Sequence, residues 1–332
     1  MTKTEKKVSI IVPCYNEEST IQLLLNAILE QDYPMALMEV IIADALSQDQ
    51  TRKKIEEFAR TNPSLSVRVV DNPKRTIPAA INAAAAAARG EYLVRLDAHS
   101  VPYPDYISSC IRDLEAGLGQ NVGGVWEIKP GTDSTIAKAI AVAAAHPLGV
   151  GDALYRYSGQ TGEVDTVPFG SFRRDLFFQI GGFDERLLTN EDYEFNVRIR
   201  QAGGKIWFDP KIRCIYFSRK NLEELAKQYW RYGFWKLQML KRYPATIRWR
   251  QALPPLFVLA NILGVILSFF SKTIAYSYFG LVGVYVVILW IAGFHEAIKR
   301  KQPALAWGLP AAVATMHLSW GMGFLFGTFR KQ

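Results

Sequence analysis

Asp97-Ala98-His99 places a carboxylate and an imidazole two residues apart, directly after a predicted strand over Tyr92–Leu96. In extended chain, residues i and i+2 point to one side, so both side chains can meet one ligand. One hard oxygen donor and one imidazole suit a divalent cation that also holds phosphate oxygens. A turn aspartate beside a hydrogen-bonded histidine is the other reading. Glu191-Asp192 is the second candidate, opening a helical pattern after Thr189-Asn190. The helix dipole alone favours carboxylates there, and a general base at the mouth of a pocket would sit in the same place. The third candidate is Gln228-Tyr229-Trp230-Arg231-Tyr232. It lies where Leu222, Leu225, Tyr229, Tyr232, Met239 and Tyr243 recur at roughly helical spacing. Aromatic residues mixed with Lys and Arg fit a helix at a membrane interface. They also fit a helix packed on a soluble domain with a solvated basic face.

The elements that must position these residues alternate. Strands are predicted at Val8–Pro13, Val40–Ala43 and Val67–Val70, with Asp44 ending the second. Helices are predicted after Cys14-Tyr15-Asn16-Glu17 to about Glu30, over Asp49–Arg60, and over the alanine-rich Ile77–Ala88, which Arg89-Gly90 closes. Such alternation implies a parallel, doubly wound sheet, in which ligands bind beyond the carboxyl ends of the strands. Asn16, Asp44 and Asp97 all fall at that edge. Past residue 100 the pattern predicts helices at Pro104–Ala116, Ser134–Ala145 and Glu191–Gln201. Extended segments are predicted at Gly123–Ile128 and Val164–Pro168, with a turn at Gly181–Asp184.

The chain has 332 residues and a formal charge of +8, with 49% apolar and 21% charged residues, which excludes a disordered chain. The charge is uneven. Residues 1–218 hold 24 basic and 28 acidic side chains, a net −4. Residues 219–250 carry +7 and residues 251–332 carry +5. A nucleic-acid binder would make its pocket domain basic, so no nucleic-acid partner is expected. Three cysteines (Cys14, Cys110, Cys214) are too few and too scattered for a disulfide framework or a zinc ribbon, and they fit a reduced compartment.

Three uncharged runs, Ala252–Phe270, Ile274–Phe294 and Ala304–Phe329, approach or exceed the ~20 residues that cross a bilayer. The polar opening MTKTEKK leads into a strand without a signal-peptide pattern. Lys299, Arg300 and Lys301 lie between the second and third runs, and only Lys272 between the first and second. By the positive-inside rule the large domain, 219–250 and 295–303 are cytoplasmic. Three crossings would put the carboxyl end outside, against which Arg330 and Lys331 argue, so a re-entrant third run is the alternative. The expected organisation is a cytoplasmic domain (1–218), a basic amphipathic interfacial region (219–250) and a membrane region (251–332) of about three helices (252–270, 274–294, 304–329).

These features together resemble glycosyltransferase family 2, over about residues 7–235. VSIIVPCYNEE is similar to the family's first strand and nucleotide-binding turn, and EVIIADALSQDQT to its second strand. LVRLDAHS resembles its Asp-x-Asp metal site, with His99 in the last place. GGFDE followed by NEDYEFNVRIRQAGG resembles its acceptor-side and base motif, and QYWRY the Gln-x-x-Arg-Trp signature of processive members. Within the family, the bacterial exopolysaccharide transferases of the succinoglycan type look most similar.

The resemblance implies an α/β fold of GT-A type, a Rossmann-like, mostly parallel sheet with helices on both faces, joined to a helical transmembrane region. It implies an inverting, metal-dependent transfer of a sugar, with glucose from UDP-glucose favoured, to a polyprenyl-diphosphate-linked oligosaccharide at a bacterial inner membrane. Asp192 would be the base, with Glu191 beside it. Asp97 and His99 would hold Mg or Mn on the diphosphate. Pro13, Tyr15, Glu17 and Asp44 would line the nucleotide, Arg75 would meet phosphate, and Gln228 and Arg231 would approach the diphosphate or acceptor. Ala45 stands where many members have a second aspartate, and Tyr232 where processive synthases have Trp. A transferase that charges a polyprenyl phosphate is the nearest rival, and a non-catalytic scaffold the more distant one.

Overall fold

The computed structural model describes residues 7–151, 153–157 and 159–329. In chain order the elements are β1 (Val8–Cys14), α1 (Ile21–Leu29), β2 (Met38–Asp44), α2 (Thr51–Thr61), β3 (Ser66–Asp71), α3 (Ile77–Ala87) and β4 (Tyr92–Arg95). There follow β5 (Ser100–Pro102), α4 (Tyr106–Glu115), β6 (Asn121–Lys129), α5 (Thr135–Ala144), α6 (Pro147–Val150), β7 (Gly162–Glu163), β8 (Ser171–Arg173) and α7 (Arg174–Ile180). The rest are α8 (Glu191–Gln201), β9 (Ile206–Phe217), α9 (Leu222–Leu240), α10 (Trp249–Ser268), α11 (Lys272–Arg300) and α12 (Leu305–Phe326). They form two units, Met1–Glu127 with Leu154–Tyr216, and Ile128–Ala153 with Phe217–Gln332.

The first unit is built on a mixed sheet of order β3-β2-β1-β4-β8-β6-β9-β5, with β7 also on β9. β3, β2, β1 and β4 run parallel, with Ile10 opposite both Val40 and Val94. β8 is antiparallel to β4 and β6, and β5 and β7 are antiparallel to β9. Alternate side chains serve opposite faces. Val8, Ile10 and Val12 join one core with residues of α1, α2 and α4, while Ile11, Ile41 and Leu93 join a second with residues of α3, α7 and α8. The alanine run of α3 is explained here: Ala80, Ala84 and Ala85 are buried in that second core, and their short side chains let the helix lie close on β1 and β2.

A polar knot ties the amino ends of three strands. Ser9 Oγ donates to Glu39 Oε1 at 2.7 Å, the Arg89 amide donates to the same oxygen at 2.7 Å, and Arg68 donates to Oε2 at 2.9 Å. Burial raises the Glu39 carboxyl, but these three donors outweigh it and hold it below its ordinary range. Gly90 belongs to the same corner. A Cβ there would lie 2.6 Å from the Ser9 nitrogen, so the glycine permits close approach to β1 and does not cap α3 in a left-handed turn.

Three further features differ from the sequence reading. The longest strand, the 12-residue β9, is absent from it, because Asp209-Pro210-Lys211 interrupts the apolar pattern. α7 is also absent. Val164–Pro168 is not a strand. The strands flank it as β7 and β8, and Phe169 (φ 61°) and Gly170 (φ 83°) turn the chain into β8.

In the second unit α5, α9, α11 and α12 share one core that includes Ala139, Leu225, Tyr229, Leu289, Leu309 and Met316. Glycines bring the backbones together. A Cβ on Gly233 of α9 would lie 2.0 Å from the Trp320 carbonyl of α12, and one on Gly323 would lie 2.2 Å from the Trp230 carbonyl. The same holds for Gly321 against Pro254 of α10 (2.4 Å) and Gly293 of α11 against Ala306 (2.7 Å). α10, α11 and α12 are each long and apolar enough to cross a membrane.

Two outcomes follow for stability. A depressed carboxyl stabilises the fold above its unfolded-state pKa, and that stability is lost as the pH falls through the lower folded-state value. Glu39→Gln should therefore flatten the acid limb of a stability-versus-pH curve below the ordinary glutamate value of 4.5, as read by chemical unfolding. Gly233→Val should cost roughly 1–3 kcal/mol by overpacking, whereas Gly283→Ala, which meets open space, should stay within about 0.5 kcal/mol. Thermal unfolding in detergent compares the two.

Candidate active site

The site lies at the carboxyl edge of the parallel strands. β1 and β2 end level, Cys14 opposite Asp44, and Asp97 follows β4 by two residues. At the centre is Arg95, the last residue of β4, whose side chain is 6% exposed. Its Nε approaches Asp97 Oδ1 at 3.4 Å and its Nη2 approaches Glu191 Oε1 at 3.2 Å. Its guanidinium also lies 5.7 Å from the Phe183 ring centroid. Nη1 is buried and has no hydrogen-bond partner among the described residues. Burial opposes the Arg95 charge, but Asp97, Glu191 and Asp192 outweigh it and strengthen its hold on the proton.

Glu191 and Asp192 begin α8 but face differently. Glu191 is buried against Arg95. Burial pushes its carboxyl up to about 7, with Arg95 pulling it down and Asp192 and Asp97 raising it. Asp192 is half-buried and accepts the Tyr193 amide at 2.7 Å. Asn190 enters the helix in a left-handed conformation (φ 66°). Further along, Arg198 pairs with Glu194 and donates to the carbonyls of Ile180 and Gly182, both at 2.6 Å. Asn196 bonds Asn121 and Thr166. The GGFDE turn is tied to α3 as well, through paired 2.9 Å bonds between Asn82 and Phe183.

His99 is the second predicted ligand. Its Nδ1 lies 2.9 Å from Glu17 Oε1, so the nitrogen that would meet a cation is Nε2. A carboxylate on the far nitrogen fixes ring orientation in metal-binding histidines. Arg95 approaches only one Asp97 oxygen, which leaves Oδ2 to a cation. Among the described residues no group of three or more His, Cys, Asp or Glu side chains gathers to hold a metal. A two-donor set of this kind fits a cation that takes its other oxygens from a diphosphate.

The remaining predicted residues divide. Asp44 is fully buried and accepts from the Ser47 amide (3.0 Å) and from Arg52. It therefore builds the turn after β2 and is not presented at the surface. Asn16, in a left-handed conformation, accepts the Gln48 amide at 2.9 Å and joins that turn to the one after β1. Tyr15 is exposed and Pro13 half-buried beside it. Arg75 is exposed in the loop before α3, with φ 54°. Gln228 and Arg231 lie on α9 in the second unit, Gln228 bonded to the Tyr232 hydroxyl at 2.8 Å. Two groups escaped sequence reasoning. One is Arg95 itself. The other is an aromatic wall, Trp126 stacked on Tyr216 at 4.2 Å, with Tyr216 6.2 Å from His99.

Asp97, His99, Glu191 and Asp192 thus stand near the carboxyl edge of the parallel strands, where ligands bind in sheets of this kind. The Glycosyl transferase family 2 profile matches residues 9–181. The succinoglycan biosynthesis protein ExoA of Rhizobium meliloti is 32% identical over 95% of this chain and 93% of its own. The dolichyl N-acetyl-alpha-D-glucosaminyl phosphate 3-beta-D-2,3-diacetamido-2,3-dideoxy-beta-D-glucuronosyltransferase of Methanococcus voltae is 26% identical over 97% of each. The chain thus belongs to glycosyltransferase family 2. Its fold is of the GT-A kind. The mannosyltransferase PcManGT of Pyrobaculum calidifontis, solved with GDP-Man and Mn2+, superposes with a TM-score of 0.59 at 22% identity, covering 95% of this chain and 88% of that one.

Arg95 and Glu191 should behave as one unit. Arg95→Met leaves Glu191 buried without its cation and should cost roughly 3 kcal/mol. Adding Glu191→Gln should recover much of that loss. A double-mutant cycle by urea unfolding measures the coupling, and additive losses would show that the pair does not interact.

Proposed function

We propose that the protein is a membrane-bound, inverting glycosyltransferase that moves a sugar onto a polyprenyl-diphosphate-linked oligosaccharide in exopolysaccharide or other cell-surface polysaccharide synthesis. UDP-glucose is the favoured donor. The observation that carries this reading is the Arg95 bridge, which links the Asp97 carboxylate to the helix bearing Asp192.

Asp192 is the base. It is solvent-accessible, whereas Glu191 turns inward on Arg95 and serves to seat the helix. Asp192 accepts the proton of an acceptor hydroxyl, and the freed oxygen attacks the anomeric carbon opposite the departing nucleoside diphosphate, which inverts that centre. Asp97 Oδ2 and His99 Nε2 would hold Mg or Mn, which when bound neutralises charge on the diphosphate. Glu17 orients His99. Pro13, Tyr15 and the turn that Asp44 organises line the nucleotide, and Arg75 approaches phosphate. The Trp126–Tyr216 wall offers a face for a sugar ring. Gln228 and Arg231 of α9 meet the diphosphate or acceptor.

The apolar faces of α10 and α11 support a bilayer location. Leu256, Ile262, Ile266, Phe270, Phe279 and Ile291 are all exposed, as lipid-facing residues are. The basic residues of 219–250 then meet an anionic leaflet, and the cytoplasmic side of a bacterial inner membrane is the setting. A lipid-held acceptor raises the effective concentration of the hydroxyl at the site. The Methanococcus voltae relative, named for transfer to a dolichyl-linked sugar, favours a lipid-linked sugar acceptor over a bare lipid phosphate.

Asp192→Asn should lower kcat by about 10³-fold, within the range of a lost general base, and leave the UDP-sugar Kd nearly unchanged. Nucleotide release by full-length protein from UDP-, GDP- and dTDP-sugars, with lipid extract as acceptor, reads both donor choice and rate. Undiminished turnover by the variant overturns the base assignment.

A further inference from the structure

The third apolar helix has the length of a span but not its surroundings. α12 carries ten buried residues, from Leu305 to Gly323. They are covered by α5, α9, α10 and α11: Gly308 meets Ala139, Gly323 meets Trp230, Gly321 meets Pro254, and Ala306 meets Gly293. The α10–α11 hairpin is different. No residue from Leu259 through Ile288 is buried, whereas Pro255, Val258, Leu289, Gly293, Glu296 and Ala297 are. Protein contacts with the hairpin are therefore concentrated at its base.

The direction of α12 follows from the same contacts. The Phe257 ring lies 4.7 Å from that of Tyr285 and Gly264 abuts Tyr278, which sets Pro254 about level with residue 288 of α11. The α12 contacts at Ala306 and Gly321 lie 15 residues apart, about 22 Å of helix. Their hairpin partners, Gly293 and Pro254, are separated by only about 7.5 Å along the hairpin. A helix parallel to the hairpin would advance equally on both, so α12 crosses its base obliquely.

Both ends of α12 lie at that level. Its first turn touches Gly293, two turns before the basic Lys299, Arg300 and Lys301. Its last turn reaches Leu237 and Gln238 of α9, and Gln238 Nε2 donates to the Gly327 carbonyl at 3.2 Å. α9 has Glu223, Lys227 and Arg231 exposed, a charged face that cannot lie in hydrocarbon. A helix whose backbone touches α9 at Trp230 and Gly233 shares its level.

We infer that α12 does not cross the bilayer. It lies across the base of a two-helix membrane hairpin, one side packed on protein and the other, with Trp307, Leu318, Met322 and Phe326 exposed, at the lipid surface, and its carboxyl end returns to the side occupied by α9. The inference rests on the reading that the α10–α11 hairpin enters the membrane, and the test separates the two. Phe270→Cys, between α10 and α11, and Phe329→Cys, beyond α12, are exposed positions, while native Cys14, Cys110 and Cys214 are buried. Each full-length variant is treated in intact cells with a membrane-impermeant maleimide, then after permeabilisation. Cys at 270 should react in intact cells and Cys at 329 only after permeabilisation. Reaction of both in intact cells means that α12 spans, and overturns the inference. Protection of both in intact cells means that the hairpin itself does not cross, and overturns the two-crossing arrangement together with the membrane reading beneath it.

Discussion

One buried cation organises the catalytic unit. Arg95 stands where the parallel half of the sheet ends, with Asp97 on one side and Glu191 on the other. Each carboxylate is costly to bury alone, and the guanidinium can serve both because its donors fan out in a plane. Because Arg95 belongs to β4 and Glu191 to α8, the guanidinium fixes the loop-borne Asp97 and the helix bearing Asp192 to one strand. The rest of α8 is arranged to keep that contact. Arg198 clamps the Gly181-Gly182 turn, Asn196 is bonded across to Asn121, and Asn82 holds Phe183 from α3. None of these bonds touches the exposed face of Asp192, yet each limits where that residue can be.

The second unit rests on a different constraint, close approach of helices through glycine. Gly233, Gly323, Gly321 and Gly293 each stand where a methyl group would strike a neighbour's backbone. Such contacts need no apolar lipid to explain them, and they set one side of α12 in a protein core. A helix that is apolar all round is buried in something. For α10 and α11 nothing among the described residues covers the exposed faces, whereas α5, α9, α10 and α11 cover one side of α12.

Much of the catalytic sheet was legible in the sequence for a physical reason. β1, β2 and β4 are covered on both faces, so they read as continuous apolar runs ended by a polar residue. α3, α8 and the edge positions Asn16, Asp44 and Asp97 followed from the alternation. What was hidden depended on long-range partners. β9 carries Asp209-Pro210-Lys211 within it, and β8 is only three residues long. Arg95 read as one charge in a strand, because its worth comes from Glu191, 96 residues away. Asp44 read as a ligand contact, and only Arg52 and the Ser47 amide show it turned inward. The run Ala304–Phe329 was legible as apolar but not as packed along one side on other helices, since hydropathy counts side chains and not their neighbours.

The adjacent pair Glu191-Asp192 shows how local geometry divides two like residues. Consecutive positions on an α-helix point about 100° apart, at 3.6 residues per turn, so two carboxylates at a helix start cannot both face a pocket. Which one does is set by the entry of the chain into the helix. Here Asn190 takes a left-handed conformation that a β-branched residue would resist, and this entry directs Glu191 inward to Arg95. Burial then raises the Glu191 carboxyl toward neutrality, while Asp192 keeps its accessible place. The dipole argument from sequence is satisfied equally by both residues. The backbone at Asn190 and the cation at Arg95 separate an anchoring carboxylate from the proposed base.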